Sequence, residues 1–188
     1  MAIKIYVDQG HNPYGFNTGA EGNGFFEQDI TYEIGRRLYD LLSNDPEFTP
    51  RLSRPTDDTL LGTSNASSLR VRVEEANAWG ADLFLSLHTN AAERTSASGS
   101  EALVYSPSST VAVGVAESIL TQLNLVTGLR NRGIVYRPGL YVLKRTAMPA
   151  VLVEMGFISN EYDAELMAYS PNLFAVGIYR GLKAYYGV

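Results

Sequence analysis

Hydrophobic and polar residues follow a two-residue period in three short stretches of the chain, at 3–7 (IKIYV), 81–91 (ADLFLSLHTNA) and 150–153 (AVLV). This is the period of a β-strand. In the second stretch both alternating sets are largely apolar, which is typical of a strand covered on both faces, as in a parallel sheet with helices on either side. The pattern therefore predicts three buried strands. Shorter strands are predicted at 48–53, 101–105 and 141–143.

Apolar residues recur at helical spacing in the longer segments between these strands. The predicted helices lie at about 27–43, 67–79 and 109–124, after an Asn160–Asp163 capping box, and from Pro171 onward. The segment 130–133 is predicted to be a loop. Strands that alternate with helices, without repeats or a linker, predict a single-domain, three-layer α/β/α fold over residues 1–188 with a mostly parallel twisted sheet.

Ionisable residues stand at or just after the ends of the three buried strands. They are His11 and His88, which are the only two histidines in the chain, and Glu154. Ligands bind at the carboxyl edge of open α/β sheets. Glu27 falls on the apolar stripe of the first predicted helix, where an unpaired carboxylate would be costly. It either complements the positive end of the helix dipole or faces a cation.

Two histidines and one carboxylate are a sufficient protein ligand set for a catalytic zinc ion, and a second carboxylate can act as general base. His11, His88, Glu27 and Glu154 supply this complement, although no short motif joins them. Each residue alone also fits an ordinary structural role, such as a hydrogen-bonded core histidine or a glutamate paired with an arginine. Because both histidines and a strand-terminal acid share one edge, a metal site is predicted at the carboxyl ends of the strands.

Other catalytic arrangements lack parts. There is no G-x-S-x-G elbow and no phosphate-binding P-loop. A triad of Ser86, His88 and Asp8 is conceivable, but Ser86 and His88 point the same way on one strand, which is a poor geometry for proton transfer. Gly22-x-Gly24 lacks the third glycine of a dinucleotide motif, since Glu27 stands there.

Composition narrows the classes of partner. The chain has 188 residues, a formal net charge of −5 and no basic cluster, which argues against nucleic acid. It has no cysteine, which excludes thiol nucleophiles, thiolate metal sites and disulfides. No membrane span and no signal peptide are expected, because no run of 18 apolar residues and no basic segment followed by an apolar region is visible.

Two further segments receive predictions of their environment. The charged residues of the second predicted helix are expected to form a solvated face; they are Arg70, Arg72, Glu74 and Glu75. The segment 92–100 is rich in Ser, Ala and Thr, and it is predicted to be a mobile loop beside the site.

Around these residues the sequence resembles the zinc-dependent N-acetylmuramoyl-L-alanine amidases, which are bacterial and phage cell-wall hydrolases. The resemblance covers nearly the whole chain, through blocks in the same order at 7–11 (VDQGH), 26–30 (FEQDI), 70–77, 81–91, 141–143 (YVL) and 148–160. The chain departs from the family pattern at Gln9, Asn12, Thr89 and Met155. None of these is one of the four candidate residues of the metal site, His11, Glu27, His88 and Glu154.

The resemblance implies that His11, Glu27 and His88 hold one Zn²⁺ ion and that Glu154 is the catalytic acid and base. It implies hydrolysis of the amide between the lactyl group of N-acetylmuramic acid and L-alanine of the stem peptide. Asn90 and the segment 92–100 are expected to line the substrate groove. Two alternatives remain: a non-catalytic cell-wall-binding or regulatory module of the same fold, and a related zinc hydrolase that acts on another amide, such as a peptide.

The same resemblance implies where the protein works and with what. Its substrate partner would be peptidoglycan, and its place of action the bacterial cell wall, as for an endolysin or an autolysin. The acidic charge and the lack of a binding module predict that residues 1–188 are an amidase catalytic domain. Such a domain either comes from a longer lysin with a separate cell-wall-binding domain or works with a targeting or regulatory partner.

Overall fold

The computed structural model describes all residues, 1–188, as alternating strands and helices. The strands are β1 (Ile3–Gln9), β2 (Glu21–Gly22), β3 (Phe25–Phe26), β4 (Phe48–Leu52), β5 (Leu83–Asn90), β6 (Ser100–Val104), β7 (Asn131–Tyr136) and β8 (Ala150–Phe157). The helices are α1 (Glu27–Ser43), α2 (Asn65–Trp79), α3 (Thr110–Thr127), α4 (Tyr141–Arg145), α5 (Glu161–Tyr169) and α6 (Pro171–Tyr186).

Six strands form one sheet in the order β4-β1-β5-β8-β6-β7, and β2 pairs with β3 in a separate hairpin. Strands β4, β1, β5 and β8 are mutually parallel. Strand β6 is antiparallel to β8, and β7 is parallel to β6. The predicted single-domain α/β fold with a mostly parallel sheet is therefore confirmed. The parallel strands β1, β5 and β8 are neighbours, so their carboxyl ends meet at one edge.

Helices cover both faces of the sheet. The larger core contains 29 buried residues, most of them from the sheet and from α1, α3, α5 and α6. The smaller core contains 10 buried residues, including side chains of α2 and α4. Alternate residues of β5 face these two cores: Leu85 and Leu87 lie in the larger, and Phe84 lies in the smaller. His88 is on the same face as Phe84, because side chains two apart on a strand share a face.

Helix α3 is the one helix that is long and apolar enough to cross a membrane by length and composition. In the fold its Val115, Ile119 and Leu123 are fully buried in the larger core. Gly177 and Gly181 of α6 approach Leu123 and Ile119 so closely that a Cβ on either glycine would lie 3.0 Å or less from them. Helix α3 is thus a core helix packed against α6.

Two sequence-based assignments of secondary structure are wrong. Residues 141–143, predicted as a strand, belong to the helix α4, which is too short for helical periodicity to be visible. Residues 131–133, predicted as a loop, begin β7. Gly133 there has a φ of +86°, and the β6–β7 register shifts beside it, so the glycine marks an irregularity inside a strand and no turn.

Candidate metal centre

Three chain segments bring His11, Glu27 and His88 together. His11 follows β1, Glu27 is the first residue of α1, and His88 is on β5. One donor atom of each lies within 4.8 Å of the others. Glu27 lies between the two rings, with Oε2 3.2 Å from His11 Nε2 and Oε1 3.1 Å from His88 Nδ1. The rings meet edge to face, with centroids 4.8 Å apart.

Backbone amides fix the Glu27 carboxylate. The N–H of Ala20 donates to Oε2 and the N–H of Thr89 donates to Oε1, both at 2.9 Å. Burial by itself would raise the pKa of Glu27, but its hydrogen bonds with His11 and His88 outweigh burial and hold that pKa far below its ordinary value. Glu27 is therefore an anion on an otherwise apolar helix stripe, with its charge directed at two imidazoles.

Two glycines make this packing possible. A Cβ on Gly10 would lie 2.6 Å from Cε1 of His88, and a Cβ on Gly19 would lie 2.6 Å from Cβ of Glu27. Both distances are far inside van der Waals contact. Any side chain at either position would displace a donor of the cluster.

His11 adopts an uncommon backbone conformation, with a φ of +69°. A non-glycine residue in this left-handed region costs free energy, so neighbouring contacts must hold it. The ring contributes through Nδ1, which is 3.3 Å from the carbonyl oxygen of Asn17. That contact leaves Nε2 directed at Glu27.

The prediction that Arg72 is solvated is wrong. Arg70, Glu74 and Glu75 are exposed, but Arg72 exposes only 1% of its surface. Its guanidinium pairs with Asp8, which also accepts a hydrogen bond of 2.7 Å from the Ser86 hydroxyl. Helical spacing shows which residues share a face of the helix. It does not show whether a buried carboxylate of another element lies opposite that face.

Asp8 is ionised within this network. Burial would raise its pKa, but the Arg72 charge and the Ser86 hydrogen bond outweigh burial and lower the pKa below its ordinary value. The Ser86 hydroxyl donates to Asp8, so it is not available as a nucleophile activated by His88. The conceivable Ser86–His88–Asp8 triad is thereby excluded on geometry.

Glu154 lies beside the cluster but outside it. It is in register with His88 across the parallel pair β5–β8, on the same face of the sheet. Its Oε2 is buried and has no hydrogen-bond partner. Burial raises the pKa of Glu154 to about 7; the His88 charge lowers it, whereas Glu27 and Glu101 raise it. A carboxyl that titrates near neutral pH can both accept and return a proton.

A polar strip continues from Glu154 toward β7. Glu101 is in register with Glu154 across β6–β8, and it accepts hydrogen bonds from Asn90 Nδ2 at 2.9 Å and from Arg132 Nε at 3.1 Å. The side-chain amide of Asn90, the predicted substrate contact, is thus hydrogen-bonded to Glu101. Sequence reasoning missed Glu101 and Arg132 as neighbours of the site. Only the strand pattern, which places Glu101 and Leu103 on one face of β6, could have indicated the first.

The segment 92–100, predicted to line the groove, is tied to the start of α5. The Thr95 carbonyl accepts from Asn160 Nδ2 at 2.8 Å, and the Asp163 carboxylate accepts from Ser98 Oγ at 2.7 Å and Gly99 N at 3.0 Å. Asn160 caps the Asp163 amide as predicted, but the Asp163 side chain binds this segment and does not return to Asn160.

A small cavity of about 110 Å³ adjoins the two histidines on the α2/α4 side of the sheet. Its wall is largely apolar, and its members include Leu69, Leu140, Tyr141, Val142 and Leu152. His11 and His88 also line it, so the cavity directly borders two of the candidate metal ligands.

The donors present fit a zinc ion. Two imidazole nitrogens and one carboxylate oxygen, held within 4.8 Å, form the usual protein ligand set of a catalytic zinc site. Glu154 is not one of these three donors, and its buried Oε2 has no hydrogen-bond partner. The arrangement can therefore hold a dication beside a carboxyl of near-neutral pKa.

Known proteins with similar sequences include several N-acetylmuramoyl-L-alanine amidases. The chain is 38% identical over 184 residues to the N-acetylmuramoyl-L-alanine amidase CwlM of Bacillus licheniformis, covering 95% of this chain and 65% of that protein. It is 37% identical over 187 residues to the N-acetylmuramoyl-L-alanine amidase LytC of Bacillus subtilis, covering 97% and 35% respectively. The chain thus spans between about a third and two thirds of the length of these relatives.

The chain also shares its fold with a solved amidase structure. The structure of the CwlD amidase from Clostridioides difficile, solved in complex with the GerS lipoprotein, superposes with a TM-score of 0.89 at 27% identity, covering 98% of both chains. The sequence profile of the family described as N-acetylmuramoyl-L-alanine amidase matches residues 5–184. The chain therefore belongs to the N-acetylmuramoyl-L-alanine amidase family.

Proposed function

We propose that this chain hydrolyses the amide bond between the lactyl group of N-acetylmuramic acid and L-alanine of the peptidoglycan stem peptide, and that it depends on zinc. The observation that carries the proposal is the convergence of His11, Glu27 and His88 within 4.8 Å, beside an unpartnered Glu154, in a member of this family. No other cluster of three or more possible metal-ligating side chains occurs in the chain.

In this proposal His11, Glu27 and His88 hold one Zn²⁺ ion. When bound, the ion supplies a Lewis acid that polarises a carbonyl and makes a water molecule more acidic. Glu27 provides the charge that offsets part of the ion's own, and its two backbone hydrogen bonds keep its carboxylate in one orientation. The two histidines present nitrogens from separate elements, β1's end and β5, so the site exists only in the folded chain.

Glu154 is the proposed acid and base. Its carboxylate takes a proton from the attacking water and delivers it to the nitrogen of the leaving L-alanine, which departs as a neutral amine. The near-neutral pKa and the unpartnered Oε2 support this role, because the oxygen needs no existing bond to be broken before it accepts the proton. Asn90, whose side chain donates a hydrogen bond to Glu101, is the proposed substrate contact beside Glu154.

We further propose that residues 1–188 are a catalytic domain that acts at the bacterial cell wall. The match to only part of CwlM and LytC supports a domain that other proteins carry with additional segments. The complex of CwlD with GerS supports the idea that a protein partner assists such a domain. Peptidoglycan is the substrate partner in this proposal, and neither nucleic acid nor a membrane span has a part in it.

Mass spectrometry of purified muropeptides tests the proposal. The protein is incubated with them as prepared, after treatment with a chelator, and after zinc is restored, with metal content measured in parallel. We expect release of a free stem peptide with L-alanine at its N-terminus, abolished by the chelator and restored by zinc. Bound zinc without cleavage of any muropeptide would favour a non-catalytic module. Cleavage of a different amide would favour another zinc hydrolase of this fold.

A further inference from the structure

We propose that Arg72 is a positioning residue. It holds the backbone of residues 9–11, which carries the ligand His11, and thereby determines the affinity of the site for zinc. The inference rests on the proposed function, because it takes His11 and His88 as ligands. Arg72 is on α2, is 1% exposed, and touches no donor atom of the cluster. It acts through the backbone that carries His11. It also acts through the carboxylate of Asp8, which contacts β5, the strand that carries His88.

The guanidinium of Arg72 holds both sides of the turn that places His11. Nη2 donates to the His11 carbonyl oxygen at 2.6 Å, and Nη1 donates to the Gln9 carbonyl oxygen at 2.6 Å. Weaker contacts reach Ser53 Oγ at 3.3 Å and Asn12 Oδ1 at 3.4 Å. Two short bonds from one rigid planar group fix the relative position of carbonyls two residues apart.

The same group links the elements that carry the two histidines. Nη1 also pairs with the carboxylate of Asp8 on β1, and Asp8 accepts from the hydroxyl of Ser86 on β5, two residues before His88. The backbone adds a parallel link, since Gly10 N donates to the Leu87 carbonyl oxygen at 3.0 Å. Displacement of the guanidinium therefore moves both histidine-bearing segments.

The strained conformation of His11 explains why a clamp is needed. Its φ of +69° is a region that a histidine rarely adopts, so the loop relaxes unless contacts on both sides hold it. The Nδ1 contact with Asn17 is long, at 3.3 Å, whereas the two carbonyl bonds from Arg72 are both 2.6 Å. Of these three contacts, the two from the buried guanidinium are the shorter.

A lysine at position 72 distinguishes the effect of the positive charge from the effect of the planar shape of the guanidinium. Arg72→Lys keeps a cation for Asp8, so no buried carboxylate is left unpaired. A single ammonium cannot reproduce the planar fork that serves Asp8, Gln9 and His11 together. A second variant, Arg72→Gln combined with Asp8→Asn, removes both charges at once and keeps the test open if the lysine variant does not fold.

The experiment compares these variants with a control of equal stability loss at a distant position. Leu182→Ala and Ile178→Val both lie in the α6 core, and the one whose Tm matches the Arg72 variant serves as the control. Zinc affinity is measured by competition with a chelating dye, well below each Tm. Hydrogen–deuterium exchange of the segment 9–17 is measured in metal-free protein.

We expect the Arg72 variants to bind zinc about 10- to 100-fold more weakly, as for other residues that orient metal ligands, and to exchange faster in 9–17. The control should match the unaltered protein in both. Unchanged zinc affinity and exchange in the Arg72 variants would overturn the positioning role and leave the proposed function standing. Faster exchange with no zinc binding by the unaltered protein would overturn the function, and with it the role of Arg72 in zinc affinity.

Discussion

Replacing Glu154 by glutamine should stabilise the metal-free protein in a pH-dependent way. The pKa of Glu154 is about 7 against an ordinary value of 4.5. A tenfold change in proton affinity corresponds to about 1.4 kcal/mol, so ionising this buried carboxyl costs the folded state about 3 kcal/mol. Glutamine has the same shape as the protonated acid and never ionises.

The sign follows from which state binds the proton more tightly. Below pH 4.5 the carboxyl is protonated in folded and unfolded chains alike, so the substitution changes little. As the pH rises toward about 7, the unfolded chain ionises first and the folded wild-type protein loses stability. We therefore expect Glu154→Gln to be more stable by about 3 kcal/mol at pH 8 and by less than about 1 kcal/mol at pH 5.

Urea unfolding at the two pH values, with chelator present, measures this difference. Glu165→Gln is the matched control, since Glu165 is exposed on α5, and the stability difference should change more with pH for Glu154→Gln than for this variant. Adding zinc should shrink the Glu154 effect, because a nearby dication favours the ionised carboxylate. A Glu154→Gln variant that is no more stable than wild type at pH 8 would refute a buried, unpaired carboxyl here.

Three further outcomes are expected. Glu154→Gln should retain one zinc per chain, measured by metal analysis, and lose at least ~100-fold in muropeptide hydrolysis; metal loss in this variant would contradict its role as acid and base. His88→Ala should lose both zinc and activity, and a zinc-replete, active variant would remove it from the ligand set. Gly19→Ala would place a Cβ 2.6 Å from Cβ of Glu27, so its zinc affinity should fall in the same dye competition, whereas Gly139→Ala, with no neighbouring atom within 4 Å and no positive φ, should bind zinc as tightly as wild type.

Gln9 shows how a departure from the family pattern is accommodated. Its side chain accepts from the Arg54 amide at 2.9 Å and donates to the Tyr32 carbonyl at 3.3 Å. A Cβ on Gly35 would lie 2.4 Å from Cγ of Gln9, so the glycine leaves the space that this side chain fills. The larger residue is thus paired with a small one across the β1–α1 contact.

The sequence by itself determined the three buried strands and the edge of the sheet at which His11, His88 and Glu154 meet. The two-residue apolar period of the strands and the helical spacing of α1 reflect which residues must be buried. This pattern can be read within a short stretch of sequence. Parallel strands also place their carboxyl ends at one edge, so the strand pattern alone assigns His11, His88 and Glu154 to a common site. Glu27 remained open, since its helix stripe could not show what lay opposite.

The tertiary structure decided how those residues interact. It buried Arg72 against Asp8, paired Glu101 with Arg132, and left Glu154 without a partner. Each outcome depends on a contact between residues far apart in sequence, and the periodicity of one segment carries no information about the side chains of another. The pKa of Glu154 and the restraint on the His11 loop arise from such contacts, because charge and burial act through distance in space.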